Sequence, residues 1–156
     1  LHDRGRESSV DSEVRNVYIN KTQTRVSSVS RIIPGFDRES FTVNGVKCIN
    51  YFHSKYTYMW DEINEALQPT WFTPIHGDPT FSNTIIDHNL KAWFIDPRGY
   101  CDKPGIYGDP VYDFAKVYYS AVGGYDSFNR RKFKMHSDND TCERIRAPPE
   151  TANQAK

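Results

Sequence analysis

The sequence of 156 residues is poor in cysteine, carries no net charge and contains no long apolar run. Its three cysteines are odd in number and lack metal-ligand spacing, which favours free thiols in a reducing cytosol over a disulfide framework. Twenty basic residues balance twenty acidic ones, so charge gives no reason to expect nucleic acid or an anionic membrane as a partner. No apolar run approaches the roughly 18 residues of a membrane span, and the first residues lack a signal-peptide core. One cytoplasmic domain is therefore expected.

The first half of the chain shows two helical patterns separated by a turn signal. Apolar residues recur at three- and four-residue steps from Val10 to Ile33, which predicts a long amphipathic helix that ends at Pro34. Asn44-Gly45 then separates two β-prone runs, a pattern typical of a tight hairpin. A second apolar stripe predicts another helix from about Tyr51 to Gln68.

Short apolar runs separated by Asp, Asn, Pro and Gly begin near residue 70. The segment HGDPTFSN, residues 76–83, leads into two such runs, TIID (84–87) and AWFID (92–96), which are typical of strands. The polar residues between the two runs favour a turn, so the strands are expected to pair as an antiparallel hairpin.

This hairpin is expected to bring oxygen ligands together. With a turn centred near Asn89 and Leu90, Asn83 lies opposite Asp96, about 5 Å away at Cβ. An amide oxygen and a carboxylate at that distance suit a hard cation such as Mg²⁺. Asp78, on the preceding loop, is then expected to face the same cavity without binding the metal.

A third helix is predicted after residue 108. Asp109 stands at the N-cap position and Pro110 at the first helical position, and apolar residues follow at helical spacing until Gly123-Gly124. Asp109 is accordingly expected to be structural. From Ser137 onward the sequence is polar without apolar periodicity, which predicts a disordered tail. Together these patterns indicate an α+β fold that is mainly helical.

The motif residues resemble a known superfamily of kinases. His76-Gly77-Asp78 followed by Asn83 matches the H-x-D-x-x-x-x-N catalytic loop that protein kinases share with aminoglycoside phosphotransferases and choline kinases. Asp96 stands where that superfamily has its second metal-binding Asp, and GDPVYDFAK, residues 108–116, resembles its GDP-x-x-D-L-A segment. The similarity covers roughly residues 70 to 125 and implies the C-terminal lobe of a protein-kinase-like fold, with a small β-hairpin that carries the metal-binding residues.

The resemblance implies a phosphotransferase that moves the γ-phosphate of ATP to a hydroxyl of a small molecule, such as a sugar, an amino alcohol or an aminoglycoside. It gives Asp78 the role of catalytic base, and Asn83 and Asp96 the role of Mg²⁺ ligands. His76 is then expected to organise the loop through backbone hydrogen bonds.

Two further polar residues are candidate contacts to phosphate or substrate. Arg98 can hold an anion through its planar guanidinium, although a surface ion pair explains it as well. Ser82 can also reach a phosphate, and a turn hydrogen bond is the alternative.

The resemblance also leaves one lobe unaccounted for. Such kinases use an N-terminal lobe with a glycine-rich loop, a strand lysine and a helix glutamate, and none of these motifs is visible before Asp78. The chain does not begin with Met, so a fragment or processed product is expected, and a lobe alone is expected to transfer phosphate slowly or not at all. The sequence predicts a helical catalytic lobe at 1–136 and a disordered tail at 137–156. Within the lobe, helices and a hairpin are expected at 1–70, the catalytic loop and metal hairpin at 71–100, and C-terminal helices at 109–136.

Two alternatives from other functional classes stay open. A noncatalytic module would keep the kinase-like lobe as a binding surface. A metal-dependent phosphoesterase would use His, Asp and Asn as ligands, although the other histidines show no ligand spacing to His76. The acceptor is open too, because Asp61, Glu62, Glu65 and nearby aromatic residues suit a cation, whereas several tyrosines suit a sugar. The expected partners are ATP, a small hydroxyl-bearing substrate and the missing lobe, without nucleic acid or membrane.

Overall fold

The computed structural model describes residues 4–137 and 141–146 as an α+β arrangement of helices and small sheets. The α-helices are α1 (Asp11–Arg15), α2 (Lys21–Val29), α3 (Met59–Ala66), α4 (Pro110–Ala121) and α5 (Tyr125–Asn129). The strands are β1 (Glu7–Ser8), β2 (Ser40–Val43), β3 (Val46–Ile49), β4 (Trp71–Pro74), β5 (Thr84–Ile86), β6 (Ala92–Phe94), β7 (Tyr107–Gly108), β8 (Phe133–Ser137) and β9 (Thr141–Arg146). The predicted α+β class is confirmed, but three small sheets, with strand orders β1-β4-β7, β3-β2-β9-β8 and β5-β6, make the chain less helical than expected.

The long N-terminal helix is confirmed, with an irregularity in its middle. A π-helical turn, Asn16–Asn20, connects α1 to α2, and a 3-10 turn, Ser30–Ile32, ends the helical stretch just before Pro34. Val14 and Ile19 are almost fully buried, whereas every residue of α2 stays at least partly exposed. The apolar stripe therefore contributes to the core only in its first half.

The first hairpin follows the prediction. β2 and β3 pair antiparallel with Val43 opposite Val46, and the two turn residues, Asn44 and Gly45, have φ of 50° and 79°. Positive φ at both central residues is the signature of the type I′ turn, whose twist matches that of the strands.

The second predicted helix is shorter than expected. α3 begins at Met59 rather than near Tyr51, and a 3-10 turn, Ser54–Tyr56, precedes it. The buried Asn50 side chain causes this delay, because its amide donates to the carbonyl oxygens of Phe36 and Arg38 and its oxygen accepts from the Phe52 amide. These bonds hold the start of the segment in a turn, against the helical pattern of its aromatic residues.

The third predicted helix is confirmed as α4. Asp109 caps it as expected, since its Oδ1 accepts from the Val111 amide at 2.9 Å. α5 follows α4 after a left-handed Gly124.

The prediction of a disordered tail from residue 137 is wrong for Ser137 and for residues 141–146. β8 and β9 pair antiparallel, and β9 also pairs parallel with β2. Strand pairing satisfies backbone groups whatever the side chains are, so a polar segment without apolar periodicity still forms strands here. The rest of the predicted tail, residues 138–140 and 147–156, lies outside the described residues.

The central strand of the β1-β4-β7 sheet positions the candidate site. β4 carries the buried Phe72, and the buried Ile75 that follows it donates its amide to the Ile106 carbonyl at 2.8 Å. The motif at residues 76–83 therefore starts from a rigid support. In the part of the chain that the structure describes, no helix has the length and apolar character needed to cross a membrane.

Candidate active site

The first two motif residues are held by one buried carboxylate. The Asp113 side chain on α4 is 5% exposed and accepts from the His76 amide at 2.7 Å and from the Gly77 amide at 2.8 Å. Gly77 has φ of +81°, and a Cβ there would lie 2.9 Å from the Cβ of Arg98. Both the backbone conformation and the lack of space thus require glycine at this position.

The His76 ring joins the loop to the neighbouring hairpin. Its Nε2 lies 3.0 Å from the Ile95 carbonyl oxygen, and its Nδ1 accepts from the Asp78 amide at 3.3 Å. With these partners Nε2 is the donor and Nδ1 the acceptor. The ring also packs against Phe94, with 5.6 Å between centroids. Both polar atoms of the ring are therefore used to hold backbone.

The predicted register of the β5–β6 hairpin is wrong by one residue. β5 and β6 do pair antiparallel, but the Ile95 amide donates to the Asn83 carbonyl at 2.9 Å, so Asn83 lies opposite Ile95 rather than Asp96. The cause is a three-residue loop, 88–90, closed by the Asp87 amide on the Lys91 carbonyl and ended by Leu90 with φ of +61°. Three-residue hairpin loops commonly place a left-handed residue at this position.

Asp96 nevertheless follows directly after the residue that is bonded to Asn83. Its φ is +57°, a left-handed conformation that few non-glycine residues adopt and that recurs at functional sites. The Asn83 amide nitrogen donates to the Asp78 carbonyl oxygen at 2.9 Å and, more weakly, to Asp78 Oδ2 at 3.4 Å. These bonds link Asn83 to Asp78, and Asp96 is connected to them only as the residue after Ile95.

Two motif side chains with oxygen atoms could serve as metal ligands. Because its amide nitrogen is engaged with Asp78, Asn83 has its amide oxygen as the possible ligand atom, and the carboxylate of Asp96 is exposed. Within residues 4–137 and 141–146, no three His, Cys, Asp or Glu side chains lie where they could hold an ion together. Mg²⁺ commonly uses one or two protein ligands and completes its shell with water and phosphate oxygens.

The carboxylate of Asp78 is paired with two cations. Lys116 Nζ lies 2.9 Å from Asp78 Oδ1, and Arg98 Nη2 lies 3.6 Å from the same atom. The Arg98 guanidinium also donates to the Tyr112 hydroxyl at 3.0 Å. Tyr119, whose ring centroid is 5.4 Å from the Lys116 ammonium, has its pKa raised by burial and by a hydrogen bond with Tyr125, which favours the neutral phenol. Asp78 is therefore at the centre of a polar cluster that is partly exposed to water.

The sequence interpretation missed Asp113 and Lys116. Together with Ser120, they form the face of α4 that contacts the motif loop, while the apolar residues at helical spacing are more than half exposed: Val111 (58%), Phe114 (63%), Tyr118 (66%) and Val122 (52%). The polar residues at steps of three and four were the available signal for this second face.

Ser82 makes turn hydrogen bonds. Its hydroxyl lies 2.9 Å from the Thr80 hydroxyl, and its amide donates to Asp126 Oδ1 at 3.0 Å. These contacts hold the 3-10 turn Phe81–Asn83, from which the Asn83 side chain projects.

Comparisons of the chain with protein-family models, with curated proteins and with solved structures find no match. The function must therefore be argued from the geometry of the site.

Proposed function

We propose that the chain is the catalytic lobe of a cytoplasmic small-molecule kinase of protein-kinase-like fold, which uses ATP and Mg²⁺. One observation carries this proposal: a continuous set of hydrogen bonds joins His76, Asp78, Asn83 and the residue before Asp96, and buried Asp113 holds its starting point. A base, two oxygen ligands and the segment that positions them therefore belong to one rigid unit. Catalysis of phosphoryl transfer needs this kind of positioning and charge stabilisation.

Asp78 is assigned the role of the base. Its side chain is 31% exposed, so an acceptor hydroxyl can reach it from solvent. The hydroxyl proton passes to the carboxylate while its oxygen forms a bond to the terminal phosphorus of ATP. The bond from that phosphorus to the bridging oxygen breaks, and ADP leaves with the electron pair of that bond.

Asn83 and Asp96 are assigned the metal ligands. When bound, Mg²⁺ supplies positive charge that neutralises the triphosphate. The chain contributes the Asn83 amide oxygen, oriented by the bonds of its nitrogen to Asp78, and the Asp96 carboxylate, turned by its left-handed backbone.

The exposed apolar side chains of the β5–β6 hairpin favour the proposal that an additional lobe covers them. Two-stranded hairpins are marginally stable alone, and large exposed apolar patches commonly mark interaction surfaces. The large apolar side chains of this hairpin are 42–84% exposed: Ile85, Ile86, Leu90, Trp93, Phe94 and Ile95. In the proposed enzyme, the nucleotide and an N-terminal lobe cover this surface.

The metal site is tested first, with Mn²⁺ as a paramagnetic probe of the ¹⁵N-labelled chain. Broadening of amide signals is expected around Asn83 and Asp96, and it should weaken in Asn83→Ala and in Asp96→Asn. Asp61→Asn serves as the control, because Asp61 is an exposed carboxylate on α3. Broadening spread evenly over surface carboxylates would contradict the assigned site.

Transfer is tested with [γ-³²P]ATP, Mg²⁺ and a small-molecule extract. A slowly formed labelled product is expected, and Asp78→Asn should abolish it while it leaves the Mn²⁺ broadening unchanged. Release of inorganic phosphate without an acceptor would instead support the phosphoesterase. Absence of product, with a second protein bound equally well by the wild type and Asp78→Asn, would support the noncatalytic module.

A further inference from the structure

The two cations that pair with Asp78, Lys116 and Arg98, carry more positive charge than one carboxylate neutralises. Lys116 and Arg98 both pair with Asp78 Oδ1, and their side chains are only 18% and 20% exposed. Two largely buried cations that share one carboxylate leave positive charge at the position where an acceptor must bind. Burial of charge is unfavourable unless it is balanced, so this arrangement is suited to a further anion.

The positive region continues into a neighbouring cleft. This cleft has a volume of about 480 Å³, and its lining includes two basic residues, Lys21 and Arg25, one acidic residue, Asp102, and Tyr100. Burial, followed by the positive charges of Arg25, Arg98 and Lys116, lowers the pKa of Lys21. Lys21 therefore lies within the electrostatic field of the two cations that contact Asp78.

Tyr100 connects the cleft to the catalytic loop. Its ring centroid lies 5.5 Å from the Arg98 guanidinium, and its carbonyl oxygen lies 3.7 Å from the position that a Cβ at Gly77 would occupy. Among the nearby carboxylates, Asp102 lines the cleft and accepts from Asn16, and Asp109 accepts from Tyr18, so two basic side chains face one carboxylate in the cleft lining. Tyr100 thus lies between the cleft and Arg98, which pairs with the base.

We propose that the acceptor is an anion, with a phosphate or carboxylate group held by Lys116, Arg98 and Lys21 while its hydroxyl faces Asp78. This inference rests on the proposed kinase function and names its substrate class. Charge-assisted bonds from lysine and arginine to such groups are strong and directional. A cationic acceptor would meet like charge here, and Asp61 on α3, a candidate for binding one, is 73% exposed and paired with Arg15.

Binding is measured first, because it does not require transfer. Inorganic phosphate is titrated into the ¹⁵N-labelled chain, and signals around Lys21, Arg98 and Lys116 are expected to shift. Lys116→Met should weaken phosphate binding about tenfold, the value of one charge-assisted bond. Lys91→Met is the matched control, because Lys91 lies on the β5–β6 hairpin against Trp93. Lys21→Met provides a second test if Lys116→Met does not fold.

Asp78→Asn is expected to strengthen phosphate binding, whereas Lys116→Met should weaken it. Removal of the competing carboxylate releases Lys116 and Arg98, so phosphate should bind several-fold more tightly while phosphate transfer is lost. If Lys116 had only a structural role as the partner of Asp78, Asp78→Asn would leave phosphate binding unchanged or weaken it.

Matched ligands identify the source of the anion. Glycerol 3-phosphate should bind more tightly than glycerol, and glucuronate more tightly than glucose or choline. Phosphate should still bind in the presence of Mg²⁺ and a non-hydrolysable ATP analogue; displacement by the analogue would mean that the cations serve the nucleotide, and would overturn the proposal.

The two proposals can fail separately. Tight binding of the anionic ligands without any transfer, also by a longer chain that carries an N-terminal lobe, would contradict the kinase function while the anion site stands. Transfer to glucose or choline at rates equal to those for the anionic ligands would overturn the anion site alone. Weak shifts that Lys116→Met does not change would show an adventitious ion only, and would also overturn it.

Discussion

At the scale of single residues, Asp113 is expected to contribute to stability by holding the motif loop. Its carboxylate satisfies two backbone amides, and Asp113→Asn would place an amide nitrogen against one of them. We expect the free energy of unfolding to fall by about 2 kcal/mol, measured by urea denaturation. Asp61→Asn, at an exposed side chain, is the control and should change it by less than about 0.5 kcal/mol. Equal effects of the two variants would contradict the anchoring role.

Substitution of Gly77 tests whether its positive φ or the lack of space for a Cβ matters more for stability. Gly77→Ala combines a positive φ with a Cβ 2.9 Å from Arg98, whereas Gly99→Ala has a similar φ of +70° in open space. We expect Gly77→Ala to lower the free energy of unfolding by about 2–4 kcal/mol and Gly99→Ala by about 1–2 kcal/mol. Urea unfolding of both variants measures the difference. Equal losses of unfolding free energy in the two variants would mean that the Arg98 side chain moves to make room for the new methyl group.

The sequence predicts the residues of this site unevenly. His76, Asp78, Asn83 and Asp96 lie within 21 positions and follow a recognisable spacing, so the sequence alone identifies them as candidates. Lys116 binds Asp78 across 38 positions, and no local pattern encodes that contact. Its helical neighbours instead direct attention to the apolar face, which is exposed.

At the scale of elements, hairpins and caps were predictable because they depend on adjacent residues. Asn44-Gly45 and Asp109-Pro110 determine their structures within a few positions. The β5–β6 register was not predictable from strand patterns, because it depends on whether the loop has two or three residues. Leu90, an unusual residue for a left-handed position, gave no sign of the longer loop.

Contact between the N-terminal helix and α4 gives a prediction on pH. The Tyr18 hydroxyl donates to Asp109 Oδ2 at 2.7 Å, and burial, followed by this bond and the Asp109 charge, raises the pKa of Tyr18. A raised pKa in the folded state contributes stability that is full below the ordinary value of about 10 and is lost as pH rises above it. The urea midpoint should therefore fall more steeply from about pH 10 to 12 in the wild type than in Tyr18→Phe.

The exposed Tyr58 provides the comparison for that experiment. Tyr58→Phe should retain the steep alkaline loss of the wild type. Parallel curves for the wild type and Tyr18→Phe would show that the Tyr18 contact to the α4 cap does not control alkaline stability.

At the scale of the whole molecule, the core is small. Among the described residues, the buried apolar side chains are Val14, Ile19, Phe72 and Ile75. Several buried positions are polar instead, including His76 in the motif loop and Asp113 beside it. The described fold thus uses much of its interior to hold the loop and leaves apolar faces on α4 and on the β5–β6 hairpin exposed. A fold of this kind is stabilised when a further lobe or a partner covers those faces.

Because the chain carries almost no net charge near neutral pH, its exposed apolar faces are expected to promote self-association. The sequence has a pI of about 7.1, so electrostatic repulsion between molecules is minimal near neutral pH. We expect concentration-dependent self-association at pH 7, measured by sedimentation velocity. Val111→Glu combined with Tyr118→Glu should reduce it, because both side chains lie on the exposed apolar face of α4.

Ile32→Glu separates the contribution of the apolar α4 face to self-association from the contribution of net charge. Ile32 is 79% exposed at the end of the N-terminal helix, so this variant adds negative charge away from α4. If the α4 face drives association, Ile32→Glu should have a small effect and the α4 variant a large one. If net charge alone controls it, the effects should follow the number of charges added, and the α4 face would then be a solvated surface with no need of a covering lobe.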